Sequence, residues 1–160
     1  RVGVGFDVHR FVSGRPLVLG GVEIPSDRGL LGHSDADVLV HAIMDSLLGA
    51  AGRGDIGRHF PDSDPAYAGI SSLRLLERVS ALLAAERWEV RHVDAVLVAE
   101  RPRIGPHVAA MTERIARALG VAAERINLKA TTAEGLGAIG REEGIAAWAT
   151  ATLSRPGGAV

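Results

Sequence analysis

The feature that most restricts this chain is the change of apolar period along it. Over residues 1–8, Val2, Val4, Phe6 and Val8 recur at every second position between small or polar neighbours, which reads as a strand. Over residues 71–86, Leu73, Leu76, Val79 and Leu83 recur at the spacing of one helix face. Residues 16–24 (PLVLGGVEI) predict an extended stretch or hairpin that turns at Gly20-Gly21. A Gly-rich polar loop follows to His33. A helix is expected from Ser34 to about Leu48, because Ser34 and Asp37 match the S-x-x-D/E capping pattern. Residues 49–69 read as a loop holding Gly52, Gly54, Gly57, Pro61 and Pro65; its length and motif density favour function. Next come a strand (90–99), a turn between Pro102 and Pro106, a helix (108–119) closed by Gly120, a strand (126–131), a Gly-rich stretch (132–144) and a last strand (145–153). This partial alternation argues for one α/β sandwich domain over residues 1–154, with 155–160 as a loose tail.

Composition excludes several functions. The 160 residues suit a single domain with a proper core. Eighteen basic residues against nineteen acidic ones leave a formal net charge of -1 and no basic stripe, so no nucleic-acid partner is expected. Cysteine is absent, which rules out disulfides and thiolate metal sites. Any zinc must therefore rest on His, Asp or Glu. No signal peptide or bilayer-length apolar run is present, so the expectation is a cytoplasmic protein with no membrane partner. The chain opens at Arg1 rather than at methionine, which leaves room for a short leader ahead of it.

Asp7-Val8-His9 ends the first predicted strand. Side chains two apart on a strand share a face, so Asp7 and His9 can offer an oxygen and a nitrogen to one ion. His41, on the first helix, is a candidate third ligand. Three protein ligands and one open position describe a catalytic zinc. Asp37 and Asp45 lie four residues to either side of His41, and either could orient its ring. The plainer alternatives are a solvated strand end for Asp7 and His9 and a core histidine for His41. His59, His92 and His107 are assigned no chemistry.

Three further segments carry phosphate-like or hydroxyl-like chemistry. His33-Ser34 at a helix start would offer free N–H groups and a partial positive charge to a phosphoryl group, or Ser34 merely caps the helix. Thr131, Thr132, Ala133 and Glu134 supply hydroxyls, free amides and a carboxylate suited to a diphosphate with a hard cation, or Thr131-x-x-Glu134 is a capping box. Asp55-Ile56-Gly57 and Phe60-Pro61-Asp62-Ser63-Asp64 place three carboxylates in one loop, suited to a polyol or ribose, or simply solvated. The Walker pattern and the EF-hand spacing are both absent.

Together these segments resemble the 2-C-methyl-D-erythritol 2,4-cyclodiphosphate synthase family of the non-mevalonate isoprenoid pathway. The matching stretches are GFDVH (5–9), LGGVEIP (19–25), GHSDADV (32–38), GDIGRHFPDSDP (54–65), NLKATT (127–132) and GREEGI (140–145), in the family's order over nearly the whole chain. The resemblance implies a mixed β-sheet with helices packed on one face, assembled as a homotrimer with sheets around a central channel and active sites between subunits. It implies cyclisation of 4-diphosphocytidyl-2-C-methyl-D-erythritol 2-phosphate to the cyclic 2,4-diphosphate with release of CMP. Asp7, His9 and His41 resemble the ligands of one zinc per subunit, and Glu134 resembles the protein ligand to Mg2+ or Mn2+ on the substrate diphosphate. His33 and Thr132 look like the transition-state stabilisers. Substrate contacts are implied for Asp7, Val8, His9, His33 and Ser34, for Asp55, Ile56 and Gly57, and for Phe60, Pro61, Asp62, Ser63 and Asp64. The cytosine pocket resembles Ala99, Glu100, Arg101, Pro102, Arg103, Ile104 and Gly105, and the diphosphate site Thr131, Thr132, Ala133 and Glu134. Ala138 would line the substrate or central cavity, and Arg141 would touch phosphate near the trimer axis. A prenyl diphosphate in the central cavity is a further implied ligand, although Ala138 stands where relatives often carry an aromatic residue.

Two other functions share parts of this pattern. A zinc-dependent phosphohydrolase would use the same ligands with an activated water, and its product would be a linear monophosphate. A non-enzymatic metal or isoprenoid-phosphate binding protein would lose zinc, but no turnover, on His9→Ala.

Overall fold

The period-two run at the amino terminus folds as β1 (Val2–Ser13) in a computed structural model that describes residues 1–155. The hairpin expected around Gly20-Gly21 is present as β2 (Leu17–Leu19) and β3 (Val22–Ile24), with both glycines at positive φ. The polar loop that follows contains a short strand, β4 (Arg28–Leu30), which pairs with the far end of β1. The first long helix, α1, spans Val38–Ala51. A one-turn helix, α2 (Ile56–His59), and the helix α3 (Ser72–Ala85) come next. The remaining elements are β5 (Glu89–Val98), α4 (Val108–Leu119), β6 (Ile126–Thr131), a one-turn α5 (Gly137–Gly140) and β7 (Gly144–Ser154). Of the expected loose tail, residues 156–160 lie outside the described residues.

The main sheet runs β4-β1-β7-β5-β6. Neighbours are antiparallel except β5 and β6, which run parallel. That parallel pair needs a crossover, and α4 supplies it. The sheet is mixed, with α1 laid across β1 and β7. Leu39, Ile43, Met44 and Leu47 of α1 are fully buried, with Leu76 and Leu83 of α3 and Met111 and Ile115 of α4 in the same core.

Strand periodicity identifies β1 but not its buried face. Val2, Val4, Phe6 and Val8 point away from the core, with Val4 71% exposed and Phe6 stacked on Trp148 across the strand pair. The inward face carries Gly3 and Gly5, because α1 lies too close for side chains there. A Cβ on Gly3 would sit 2.1 Å from the Ser46 carbonyl oxygen, and one on Gly5 would sit 2.0 Å from that of Ala42. The two glycines set the helix–sheet distance.

The expected helix start at Ser34 is corrected. Helix α1 begins at Val38, and Asp37 is its N-cap, accepting from the Val40 amide at 3.2 Å. Asp37 also accepts from the amides of Gly20 at 2.9 Å and Gly21 at 2.6 Å, which ties the hairpin turn to the helix. Ala36, at φ 59°, breaks the helical path between Ser34 and the cap. The expected loop over 49–69 is also more ordered than its composition suggests. Asp55 caps α2 and Asp64 caps a short turn at Pro65–Tyr67, each accepting a backbone N–H.

Candidate functional site

Two elements aim three side chains at a single point. Asp7 and His9 leave β1 on the same face, and His41 projects from α1, which the glycine contacts hold against that strand. His9 Nε2 lies 2.9 Å from Asp7 Oδ2, His41 Nδ1 lies 3.0 Å from the same oxygen, and the two nitrogens are 3.2 Å apart. A tetrahedral ion with bonds near 2.05 Å would separate its ligand atoms by about 3.3 Å. The triad is already close to that spacing. Among the described residues it is the only such group of three potential ligands.

The donor chemistry also fits a cation. The Leu31 carbonyl is 2.6 Å from His9 Nδ1 and can only accept, so Nδ1 carries the proton and Nε2 faces the triad as a lone pair. Burial opposes ionisation of Asp7, but the hydrogen bonds and charges of His41 and His9 outweigh it and hold the carboxyl well below the ordinary range. Burial likewise disfavours a charged His9, yet the hydrogen bond and charge of Asp7, with the Leu31 carbonyl, push its pKa up. A carboxylate and an imidazole thus compete for positive charge at one place, as a metal ion's ligands do.

The orienting role expected of Asp37 or Asp45 is corrected. Asp37 is fully committed to backbone amides, and Asp45 accepts from the Ile56 amide at 2.8 Å, which steadies the 55–57 segment instead. His41 Nε2 faces two hydroxyls, Ser72 Oγ at 3.0 Å and Ser34 Oγ at 3.1 Å. Ser72 is 31 residues from His41, and no spacing rule links the two. Arg15, also missed, donates to the carbonyls of Gly32 at 2.5 Å and Ser34 at 2.6 Å and so fixes the backbone around His33.

A pocket of about 240 Å³ opens beside the triad, lined by His33, Ser34, Ile56, Gly57, Phe60 and Asp62 among others. The first predicted polyol segment, the His33-Ser34 turn and the metal triad therefore share one cavity. His33 Nε2 donates to the Asp64 carbonyl, 3.1 Å away. The N-cap of α1, Asp37, is however four residues beyond His33, so His33 and Ser34 do not sit on the helix N-terminus. Val8 points to the opposite face of β1 and is half exposed. Pro61, Ser63, Asp55 and Asp64 do not line the pocket, and the last two act as caps.

The other predicted segments lie apart from the triad within one chain. Ala99, Glu100, Pro102, Arg103, Ile104 and Gly105 line a second pocket of about 380 Å³ with Thr131 and Thr132. Arg101 borders a cavity of about 740 Å³, which Thr132 also reaches. The amides expected to be free for a diphosphate are partly taken: Glu100 Oε1 accepts from Ala133 N at 2.8 Å and Gly135 N at 3.2 Å. Thr132 Oγ1 donates to Glu134 Oε1 at 2.8 Å, with Glu134 at φ 53°. Ala138 lies in α5, and Arg141 pairs with Glu143 at 2.6 Å on the rim of a cavity shared with Arg10 and Arg28. His33 and Thr132, expected to act together, thus line different cavities of the same chain.

The YgbB family model matches residues 1–154. The chain belongs to the YgbB family. Among its relatives, the 2-C-methyl-D-erythritol 2,4-cyclodiphosphate synthase of Symbiobacterium thermophilum is 63% identical over 153 residues, covering 96% of this chain and 98% of that protein. The bifunctional IspDF of Campylobacter jejuni has a similar structure, with a TM-score of 0.91 and 43% identity over 95% of this chain and 41% of that one. A 2C-methyl-D-erythritol-2,4-cyclodiphosphate synthase in its CDP-bound form is similar too, with a TM-score of 0.87 and 40% identity over 96% of this chain and all of that one. This YgbB-family chain is therefore an enzyme of a synthase family, and its triad of possible metal ligands lies inside the matched region. Among the described residues no helix is long and apolar enough to cross a membrane.

Proposed function

We propose that this YgbB-family enzyme cyclises 4-diphosphocytidyl-2-C-methyl-D-erythritol 2-phosphate to 2-C-methyl-D-erythritol 2,4-cyclodiphosphate and releases CMP, as a cytoplasmic homotrimer. The observation that carries the reading is the convergence of Asp7, His9 and His41 on one point beside the pocket of His33, Ile56, Gly57 and Asp62. Asp7, His9 and His41 would hold zinc, and Glu134 would hold the magnesium or manganese that travels with the substrate. When bound, such cations draw negative charge from phosphoryl oxygens.

The reaction needs no Ser–His–Asp relay: Ser72, His41 and Asp7 are linked in that order, but the Ser72 hydroxyl is fully buried and is no nucleophile for a substrate. The nucleophile is the substrate's own 2-phosphate, whose second pKa is about 6, so it is largely ionised near neutrality. Its oxygen bonds to the β-phosphorus, the bond from that phosphorus to the bridging oxygen breaks, and CMP leaves with the electron pair. Holding the folded substrate in place can lower the barrier by up to roughly 7–11 kcal/mol. Ile56, Gly57, Phe60 and Asp62 would orient the polyol, while His33, on the same pocket, would steady the phosphates. The segment 99–105 would hold cytosine, and 131–134 the diphosphate.

Those two halves of the site line separate cavities of one chain, which supports a site completed by the partner subunit's Thr132 and cytosine segment. The apolar strip of Val2, Val4, Phe6 and Trp148 supports the same assembly, because a contiguous strip of that kind is seldom left in water. A prenyl diphosphate in the central cavity is retained only as a ligand to test, near Ala138 and Arg141.

The test is product analysis by phosphorus NMR after incubation with the cytidine-diphosphate-linked substrate and Mg2+. The expected products are CMP and a cyclic diphosphate, with turnover abolished in His9→Ala. A linear monophosphate would establish the phosphohydrolase instead, and turnover unaffected by His9→Ala would remove the triad from the chemistry.

A further inference from the structure

The triad accepts a cation only if both imidazoles present lone pairs, and for His41 that choice is made outside the triad. Its Nε2 is 3.0 Å from Ser72 Oγ, which in turn is 2.5 Å from Asp35 Oδ1. Asp35 Oδ2 also accepts the Ser72 backbone N–H at 2.9 Å, so the carboxylate grips Ser72 by two bonds. An ionised carboxylate has no proton to give. The Ser72 hydroxyl must therefore donate to Asp35, and with its only proton so placed it can only accept from His41. The proton of the neutral His41 ring then sits on Nε2, and Nδ1 turns its lone pair toward Asp7 Oδ2 and His9 Nε2.

Ser34 Oγ, 3.1 Å from the same Nε2, does not impose this polarity. It accepts from the Ala36 amide at 3.2 Å and touches no carboxylate, so its own hydroxyl proton is free to turn either way. At its inner end the relay is closed to solvent, with Ser72 0% exposed and His41 7%, while Asp35 at its outer end is half-buried.

We infer that Asp35, acting through Ser72, is a positioning residue that holds His41 in the tautomer able to bind the metal ion, as the Leu31 carbonyl does for His9. The inference rests on the metal reading of Asp7, His9 and His41. Hydrogen-bond partners behind a metal-bound histidine are worth about 10–100-fold in metal affinity. The opposite tautomer would place an N–H in the space between Asp7 and His9, where that proton would compete directly with the ion.

The test measures zinc affinity by competition with a chromophoric chelator, together with imidazole proton–nitrogen correlation spectra of the metal-free protein in mildly alkaline buffer. The parent is expected to bind one zinc per chain, and His9→Ala none; failure of that arm removes the metal reading and this inference with it. Ser72→Ala is expected to weaken zinc about 10–100-fold and to shift the His41 tautomer away from Nε2–H. Ser34→Ala should cause a smaller loss and leave the tautomer unchanged. Asp35→Asn keeps an acceptor for Ser72 and should fall between the parent and Ser72→Ala, which guards against misfolding in a harsher variant. Parent-like affinity and tautomer in folded Ser72→Ala, or equal losses in Ser72→Ala and Ser34→Ala, would overturn the role of Asp35 while leaving the metal reading intact.

Discussion

Replacing Gly5 with alanine tests the claim that a backbone contact between β1 and α1 places the metal ligands. The new Cβ would lie 2.0 Å from the Ala42 carbonyl oxygen and 2.8 Å from the Ser46 amide nitrogen. Both are main-chain atoms of α1, so neither can swing aside as a side chain could. Reaching even 3.0 Å from the Ala42 oxygen requires the two elements to part by about 1.0 Å. His41 directly precedes Ala42, and Asp7 and His9 lie two and four residues beyond Gly5 on the strand, so the separation falls on the triad. Its edges are 2.9–3.2 Å, and metal–ligand distances tolerate only about 0.2 Å. The expected displacement is about five times that tolerance. Overpacking costs about 1–3 kcal/mol, and a clash with main chain belongs near the upper end. For a chain of this length each kcal/mol lowers the melting temperature by about 2–4 °C, so a fall of about 6–12 °C is expected. Zinc affinity should drop by more than about 100-fold, beyond the effect of losing an outer hydrogen-bond partner. Calorimetry of the metal-free protein and chelator competition read the two effects. Gly3→Ala clashes 2.1 Å from the Ser46 oxygen, further along the helix from His41, so it should show a similar thermal loss with a smaller metal effect. A Gly5→Ala protein that melts like the parent and binds zinc equally would refute the argument.

Asp37 provides a pH test: burial, then the charge of Asp35, pushes its carboxyl up to about 6 from 3.8 despite three backbone amides. A raised native pKa gives stability that is complete below 3.8 and lost as pH rises through about 6, so the parent should lose about 3 kcal/mol relative to Asp37→Asn over that window in denaturant titrations. A flat difference would show that Asp37 is not buried as a titrating acid. Val4→Glu should convert the protein to single chains by light scattering with zinc affinity kept, because Val4 faces away from α1; an unchanged assembly would move the interface elsewhere. Glu100→Ala should raise amide hydrogen exchange at Ala133 and Gly135 about tenfold or more, since a hydrogen bond to a charged group is worth about 1.5–3 kcal/mol, and protection unchanged from the parent would contradict the Glu100 contact.

Local pattern made much of this architecture legible. The spacing of Leu73, Leu76, Val79 and Leu83 located α3, Gly120 marked the end of α4, and Gly20-Gly21 marked the hairpin, because each signal is contained within a few adjacent residues. Asp7 and His9 were legible as a pair for the same reason, through the two-residue period of a strand. The start of α1 was not, because Ser34 and Asp37 both look like caps, and the choice depends on the Gly20 and Gly21 amides that approach Asp37 from the hairpin. The buried face of β1 was not legible from its period: its apolar residues face outward, while its glycines admit a helix.

What the sequence by itself determined is the set of chemical groups and their local presentation: no thiols, a paired carboxylate and imidazole on β1, and a histidine on the next long helix. Tertiary structure decided which of those groups meet and in what protonation. His41 reaches Asp7 only because Gly3 and Gly5 have no side chains, and its tautomer follows from Ser72 and Asp35, which come from segments far from it along the chain. The physical reason is that periodicity reports direction along one element, whereas coordination depends on distances between elements, and those are set by packing and by hydrogen-bond polarity.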